Sequence, residues 1–191
     1  VKKLDKPLEK LKIESMKLKE MPVIDFKAPT IVLSGFPNVG KSTILRRITG
    51  SQAAVAPYQF TTKQINMGHF TYKYRKVQVL DTPGLLDREK LNNVEKKALA
   101  AVKHLASVVI FIIDPTLECG YPLKEQVNLM KEMKKKFKGV KFVTVINKAD
   151  VATKEEMEKA LKEVKDAVID GNKEIGKDLK KEVEKHLVFD D

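Results

Sequence analysis

Eight residues constrain this chain more than any others: Gly35-Phe36-Pro37-Asn38-Val39-Gly40-Lys41-Ser42. They match G-x-x-x-x-G-K-[ST], between a short apolar run at 30–34 (TIVLS) and a helix-like stretch at 41–49. A strand that passes into a helix through such a loop is built to hold phosphate. Gly35 and Gly40 admit backbone angles closed to other residues, so the loop N–H groups point inward. The helix N-terminus adds partial positive charge. Gly35, Pro37, Asn38, Val39, Gly40, Lys41, Ser42 and Thr43 then surround the phosphates. Lys41 reaches the β- and γ-phosphates, and Ser42 offers a hydroxyl to magnesium.

Two further motifs follow in order. Asp81-Thr82-Pro83-Gly84 comes after a strand-like run, forty residues beyond Lys41. An acid at the end of a buried strand is where this kind of fold places its magnesium carboxylate, and Gly84 can give its N–H to the γ-phosphate. Between the two motifs lies Tyr58-Gln59-Phe60-Thr61-Thr62. A threonine here would complete the magnesium shell and sense the γ-phosphate; we assign this to Thr62, with Thr61 as the alternative. Finally, Asn147-Lys148-Ala149-Asp150 is N-K-x-D. Its Asp150 carboxylate can accept from guanine N1–H and the 2-amino group, a donor pair that adenine lacks. Asn147 orients the loop and the Lys148 stem can pack on the purine face. The ordered set implies GTP as substrate and Mg2+ as cofactor.

The residue after Gly84 is Leu85. In Ras-like enzymes a glutamine there orients the attacking water, which leucine cannot do. Slow intrinsic turnover is therefore expected. The groups read as acting on the γ-phosphate are Lys41, Thr62 and Gly84. Arg46, Arg47 and Arg88 are candidate arginine fingers or, alternatively, solvated surface residues.

Strand-like and helical runs alternate along the chain. Strands are expected at 30–34, 64–72, 76–81, 108–114 and 140–146, with a hairpin through 73–75. Helices are expected at 41–49, 89–104, 122–137, 154–169 and 174–186; residues 51–63 read as a loop and 187–189 begin a last strand. This is an α/β fold with a mostly parallel sheet flanked by helices. Residues 1–28 read as the end of a helical domain plus a linker bracketed by Pro22 and Pro29, and 29–191 as the nucleotide domain.

The net charge of +11 favours polyanionic partners, RNA above all, although many lysines alternate with glutamates. Basic stretches at 131–138 and 177–185 fall on helices and also fit solvated faces. One cysteine, Cys119, permits no internal disulfide and suits a reducing cytoplasm. No apolar run approaches the ~18 residues of a membrane span, and we expect no membrane partner; the sequence leaves the oligomeric state open, with a monomer favoured. His69, His104 and His186 have no metal-ligand spacing.

Further stretches carry a resemblance. Residues 21–25 (MPVID), 30–43 (TIVLSGFPNVGKST), 58–63 (YQFTTK), 79–88 (VLDTPGLLDR) and 113–126 (IDPTLECGYPLKEQ) together resemble the nucleolar GTP-binding protein 1 family, in an archaeal form, among the Obg–HflX-like GTPases. The likeness spans roughly residues 20–150. It implies a P-loop GTPase G domain preceded by the terminal helix of an N-terminal helical domain. It also implies a switch in large ribosomal subunit assembly, with the subunit precursor and rRNA as partners. Relatives with asparagine at the Asn38 position suggest potassium beside the phosphates. The alternative is a module that holds GTP as a structural or checkpoint ligand with negligible hydrolysis. Gln59 stands where the family commonly has proline. No S-A-K or S-A-L guanine loop is found, and we read the domain as truncated before it. Asp114, Pro115, Cys119 and Gly120 carry the resemblance without an evident chemistry; turn, cap and packing roles are expected.

Overall fold

The computed structural model describes residues 24–50, 54–57, 64–83, 86, 93–169, 181, 184, 185 and 187. The apolar run after Pro29 forms β1 (Thr30–Ser34), buried at all five positions. A strand buried throughout needs cover on both faces, which helices provide in a parallel sheet. β4 (Arg75–Asp81) lies parallel on one side of β1 and β5 (Ala106–Ile113) parallel on the other. β6 (Lys141–Ile146) pairs parallel with β5, and the two-residue β7 (Val168–Ile169) pairs with β6. Beyond β4, β3 (Gln64–Tyr72) and β2 (Ala54–Pro57) are each antiparallel to the preceding neighbour. The order is β2-β3-β4-β1-β5-β6-β7, a mostly parallel mixed sheet of six strands with a short seventh.

Helices α1 (Lys41–Thr49), α2 (Asn93–Leu105), α3 (Leu123–Lys136) and α4 (Lys154–Glu163) flank this sheet. The period of two along each strand divides the central residues between two cores. Ile31, Leu33, Ile110 and Ile112 cluster with Ile44, Leu45 and Ile48 of α1. Val32, Val109, Phe111 and Ile113 cluster with Ala98 and Val102 of α2 and Met130 and Met133 of α3. Among the described residues, no helix is long and apolar enough to cross a membrane.

The structure departs from the sequence patterning in three places. The helix expected over 154–169 stops at Glu163: it starts at a Thr153–Glu156 capping box, and Val164 then leaves helical geometry and enters the α2–α3 core. Val168 and Ile169 are drawn into pairing with Val145 and Ile146. Second, the expected loop at 51–63 contains β2, whose Pro57 is tolerated because the strand lies at the sheet edge. Third, β5 begins at Ala106, two residues before the expected start. Of the expected helices, 89–92 and most of 174–186 lie outside the described residues. Leu187 is buried on the α1 side, and 188–191 also lie outside.

The β3–β4 connection is a two-residue turn: Tyr72 pairs with Arg75, and Lys73 and Tyr74 both have positive φ, 47° and 63°. That is the geometry of a type I′ turn, which asparagine and glycine adopt far more readily. Gln78, buried in β4, ties down the segment before β1. Its Nε2 donates to the Asp25 carbonyl and to Thr30 Oγ1, and its Oε1 accepts from Asp25 N–H at 2.9 Å.

Candidate functional site

The chain crosses from β1 to β4 on one side and to β5 on the other. In an open α/β sheet that reversal opens a crevice at the carboxyl ends of the strands. The loop 35–40 leaves β1 at this end. Gly35 has φ 137°, and a Cβ on it would stand 2.6 Å from the Ile112 carbonyl oxygen; a Cβ on Gly40 (φ 99°) would run into Asn147 Nδ2. Only glycine fits either place. Helix α1 then begins with no side-chain cap and no acidic residue in its first turn, so none of its own side chains neutralises the positive end of its leading N–H groups. Lys41, 9% exposed, donates to Gly35 O at 2.9 Å and Phe36 O at 2.8 Å, which holds its ammonium over the loop. A cleft of about 410 Å³ runs from Pro37 and Asn38 past Ser42 to Asp81 and Pro83.

Asp81 ends β4 against the start of α1. Its Oδ2 accepts from Ser42 Oγ at 3.0 Å and Asn66 Nδ2 at 3.1 Å. Its Oδ1 is buried without a hydrogen-bond partner among the described residues, and so is Thr82 Oγ1. A buried carboxylate oxygen without a partner is costly. A hydroxyl and a carboxylate side by side are the hard oxygen donors that magnesium takes, so the residues present fit that ion. Asn66, in β3, escaped sequence reasoning because nothing local marks it.

The base loop is joined to the phosphate loop. Asn147 N–H donates to Ile113 O at 2.9 Å, and Asn147 Nδ2 donates to Val39 O at 2.8 Å. The N–H groups of Val151 and Ala152 then close on Lys148 O at 3.1 Å each, a turn that leaves Asp150 exposed at its tip.

The stretch 113–126, which carries the resemblance without a chemistry, proves to be a brace between the two loops. Gln126 is fully buried in α3. Its amide spans the loop, with Nε2 donating to Asp114 O at 2.8 Å and Tyr121 O at 2.9 Å, and Oε1 accepting from Asp114 N–H at 2.8 Å. The Tyr121 ring stacks on Phe36 of the phosphate loop, centroids 4.1 Å apart. Asp114 accepts from Lys148 Nζ at 2.6 Å, and Glu118 accepts from the same ammonium at 3.2 Å. Burial opposes the Asp114 charge, but the bonds from Lys148 and Thr116 outweigh it and hold the carboxyl below its ordinary range. Cys119 is 3% exposed beside Gln126 Nε2, and burial pushes its thiol up, the environment of a packed cysteine rather than a nucleophile.

Thr61, Thr62, Gly84, Leu85 and Arg88 lie outside the described residues. Arg46 and Arg47 are exposed in the last turn of α1, and Arg46 Nε donates to Ser42 O of its own helix at 3.2 Å.

Residues 30–148 match the 50S ribosome-binding GTPases. Nucleolar GTP-binding protein 1 of Kluyveromyces lactis is 41% identical over 172 residues, 89% of this chain and 27% of its own length. An uncharacterized protein of Methanocaldococcus jannaschii is 46% identical over 142 residues, 73% of this chain and 39% of that one. The crystal structure of a nucleolar GTP-binding protein 1 from Plasmodium falciparum superposes with a TM-score of 0.67 at 32% identity, covering 86% of this chain and 90% of that one. The chain spans about a quarter of the length of its fungal relative. Glycines that nothing else can replace, a base loop bonded to the phosphate loop and the shared sheet agree with these likenesses: the chain is a P-loop GTPase G domain and belongs to the 50S ribosome-binding GTPases, within the nucleolar GTP-binding protein 1 family.

Proposed function

We propose that this domain binds GTP with magnesium, hydrolyses it to GDP and phosphate, and acts as the switch of a factor in large ribosomal subunit assembly. One observation carries the reading: Asn147 Nδ2 bonded to Val39 O at 2.8 Å makes the base-selecting loop and the phosphate loop one frame. On this frame Asp150 pairs with the guanine edge and the Lys148 stem lies along the purine. The N–H groups of the loop 35–40, with Lys41, hold the triphosphate. Water attacks the γ-phosphorus, the bond from it to the β–γ bridging oxygen breaks, and Lys41 with the loop N–H groups meets the charge that builds up there. Ser42 and Asp81, with Thr62, would hold magnesium, which when bound neutralises phosphate charge. Gly84 senses the γ-phosphate, and Asn38 holds a potassium ion beside it. The rRNA of a large-subunit precursor is the partner that the family membership suggests.

Titration with fluorescent GTP and ATP, with and without magnesium, tests this. Tight GTP binding that drops at least about a hundredfold in Lys41→Ala, and that loses its preference over ATP in Asp150→Ala, is expected. Equal affinity of both variants and wild type ends the reading. A second reading, a GTP-holding module without turnover, is favoured by Leu85 where Ras-like enzymes carry glutamine. A single-turnover assay separates the two: release of phosphate on a time scale of minutes to hours supports the enzyme, and retention of GTP supports the module.

A further inference from the structure

At the end of the sheet away from the nucleotide cleft, a groove of about 510 Å³ opens between residues 25–29, the start of β4 and the junction of α2 with β5. Lys27, Arg75, Lys76 and His104 line it, and Lys73 and Lys103 are exposed beside it. The one acid in the lining is Asp25, whose Oδ1 accepts from Lys27 N–H at 2.9 Å. Two large apolar rings stand open at the same end: Phe26, 65% exposed in the groove, and Tyr74, fully exposed at the tip of the turn. Around that tip the sequence alternates ring and cation, Tyr72-Lys73-Tyr74-Arg75-Lys76.

Internal packing explains neither ring. Tyr74 touches no core, and it occupies a left-handed position where glycine or asparagine would be relaxed. A bulky side chain kept in a strained backbone, pointing at solvent, has its use outside the molecule. The opposite wall is fixed, because the Gln78 side chain holds Asp25 by both its N–H and its carbonyl. A protein partner would call for an apolar centre depleted in charge, and this face is dense in cations. Rings interleaved with cations are instead how proteins take unpaired nucleic acid: bases stack on the rings and phosphates meet the cations.

We propose that this end of the domain grips a single-stranded segment of RNA, with bases stacked on Tyr74 and Phe26 and phosphates held by Lys27, Arg75 and Lys76. The proposal rests on the reading of the protein as a factor on an RNA–protein particle for the source of the RNA, and gives that factor its contact face. Because the groove and the nucleotide cleft lie at opposite ends of the strands, RNA and GTP are held together without competing. The lysines of α3 are the alternative basic surface. They lack an exposed ring.

Fluorescence anisotropy of the whole chain tests this with a labelled, mixed-sequence oligoribonucleotide of about twelve nucleotides, single-stranded or annealed to its complement. Tyr74→Ala weakens binding of the single strand about tenfold, Tyr74→Phe keeps it, and binding of the duplex is unmoved by either. Arg75→Ala/Lys76→Ala lowers the slope of log affinity against log salt by about 0.7 for each phosphate left without its cation. Affinity for fluorescent GDP stays at the wild-type value in all these variants, which certifies the fold. Single-strand binding that stays within about twofold in both Tyr74→Ala and Arg75→Ala/Lys76→Ala overturns the proposal, as does binding that falls instead in Lys131→Ala/Lys135→Ala on α3. RNA binding that depends on Tyr74 in a chain that fails to bind GTP would end the nucleotide reading and leave this one standing. Normal GTP binding with no affinity for the single strand does the reverse.

Discussion

Replacing Asp114 with asparagine removes one charge and almost no volume, and its consequences can be worked out atom by atom. The carboxylate is fully buried. Oδ1 accepts from Thr116 N–H at 2.8 Å and Thr116 Oγ1 at 2.6 Å, while Oδ2 accepts from Lys148 Nζ at 2.6 Å. An asparagine keeps the Thr116 bonds through its carbonyl but turns an NH2 group toward the ammonium. Cutting a fully buried ion pair costs about 3–5 kcal/mol. Here the Lys148 side chain is 23% exposed and retains Glu118, so solvent offsets part of the loss. The expected destabilisation is about 2 kcal/mol, read as a lower urea midpoint at neutral pH. A double-mutant cycle with Lys148→Met isolates the coupling, expected at about 1–2 kcal/mol. The effect has a pH signature. Asp114 is held below its ordinary 3.8, so its contribution is present above that value and is lost as acid carries the pH through the lowered pKa. For Lys148, burial works against the charge, but Asp114 and Glu118 hold it above its ordinary 10.5. Its contribution is present below that value and is lost as alkali carries the pH through the raised one. The gap between wild type and Asp114→Asn is therefore widest between the two and narrows at both ends. Equal midpoints at neutral pH, or a gap that does not narrow in acid, refute the reasoning.

Three further outcomes are expected. Gly35→Ala places a Cβ 2.6 Å from Ile112 O at φ 137°, and should destabilise the domain by about 3 kcal/mol or more; a wild-type urea melt would rule this out. GTPase rates should fall about tenfold when sodium replaces potassium, and Asn38→Ala should abolish the difference; equal rates in the two salts exclude the ion. Lys73→Asn/Tyr74→Gly relaxes both left-handed positions and should stabilise the domain by about 1–2 kcal/mol while weakening RNA binding; an unchanged melting temperature shows that the turn is not strained.

What the sequence disclosed depended on how locally each feature is encoded. The phosphate loop and Asn147-Lys148-Ala149-Asp150 are contiguous, and their flanking strands are apolar enough to be recognised as buried. Hence the P-loop architecture was legible in advance. The end of α4 was not: apolar spacing over 154–169 suits a helix, and only the open edge of β6 explains why Val168 and Ile169 pair instead. Nor was β2, whose pairing with β3 is a tertiary fact. The least legible element was the brace. Gln126 lies twelve residues from Asp114, and Lys148 thirty-four, so no window along the chain reveals that one amide and one carboxylate tie α3 and the loop 114–121 to the base loop.

The bond from Asn147 to the Val39 carbonyl, with the brace behind it, bears on how a bound nucleotide would leave. On the proposed function, guanine and triphosphate would share a pocket whose two loops are bolted to each other by this bond, giving base and phosphates one rigid wall. A molecule that hastens exchange would then act on the side where Ser42 and Asp81 meet. There, one hydroxyl–carboxylate contact of 3.0 Å joins α1 to β4, separate from the bond between the base and phosphate loops.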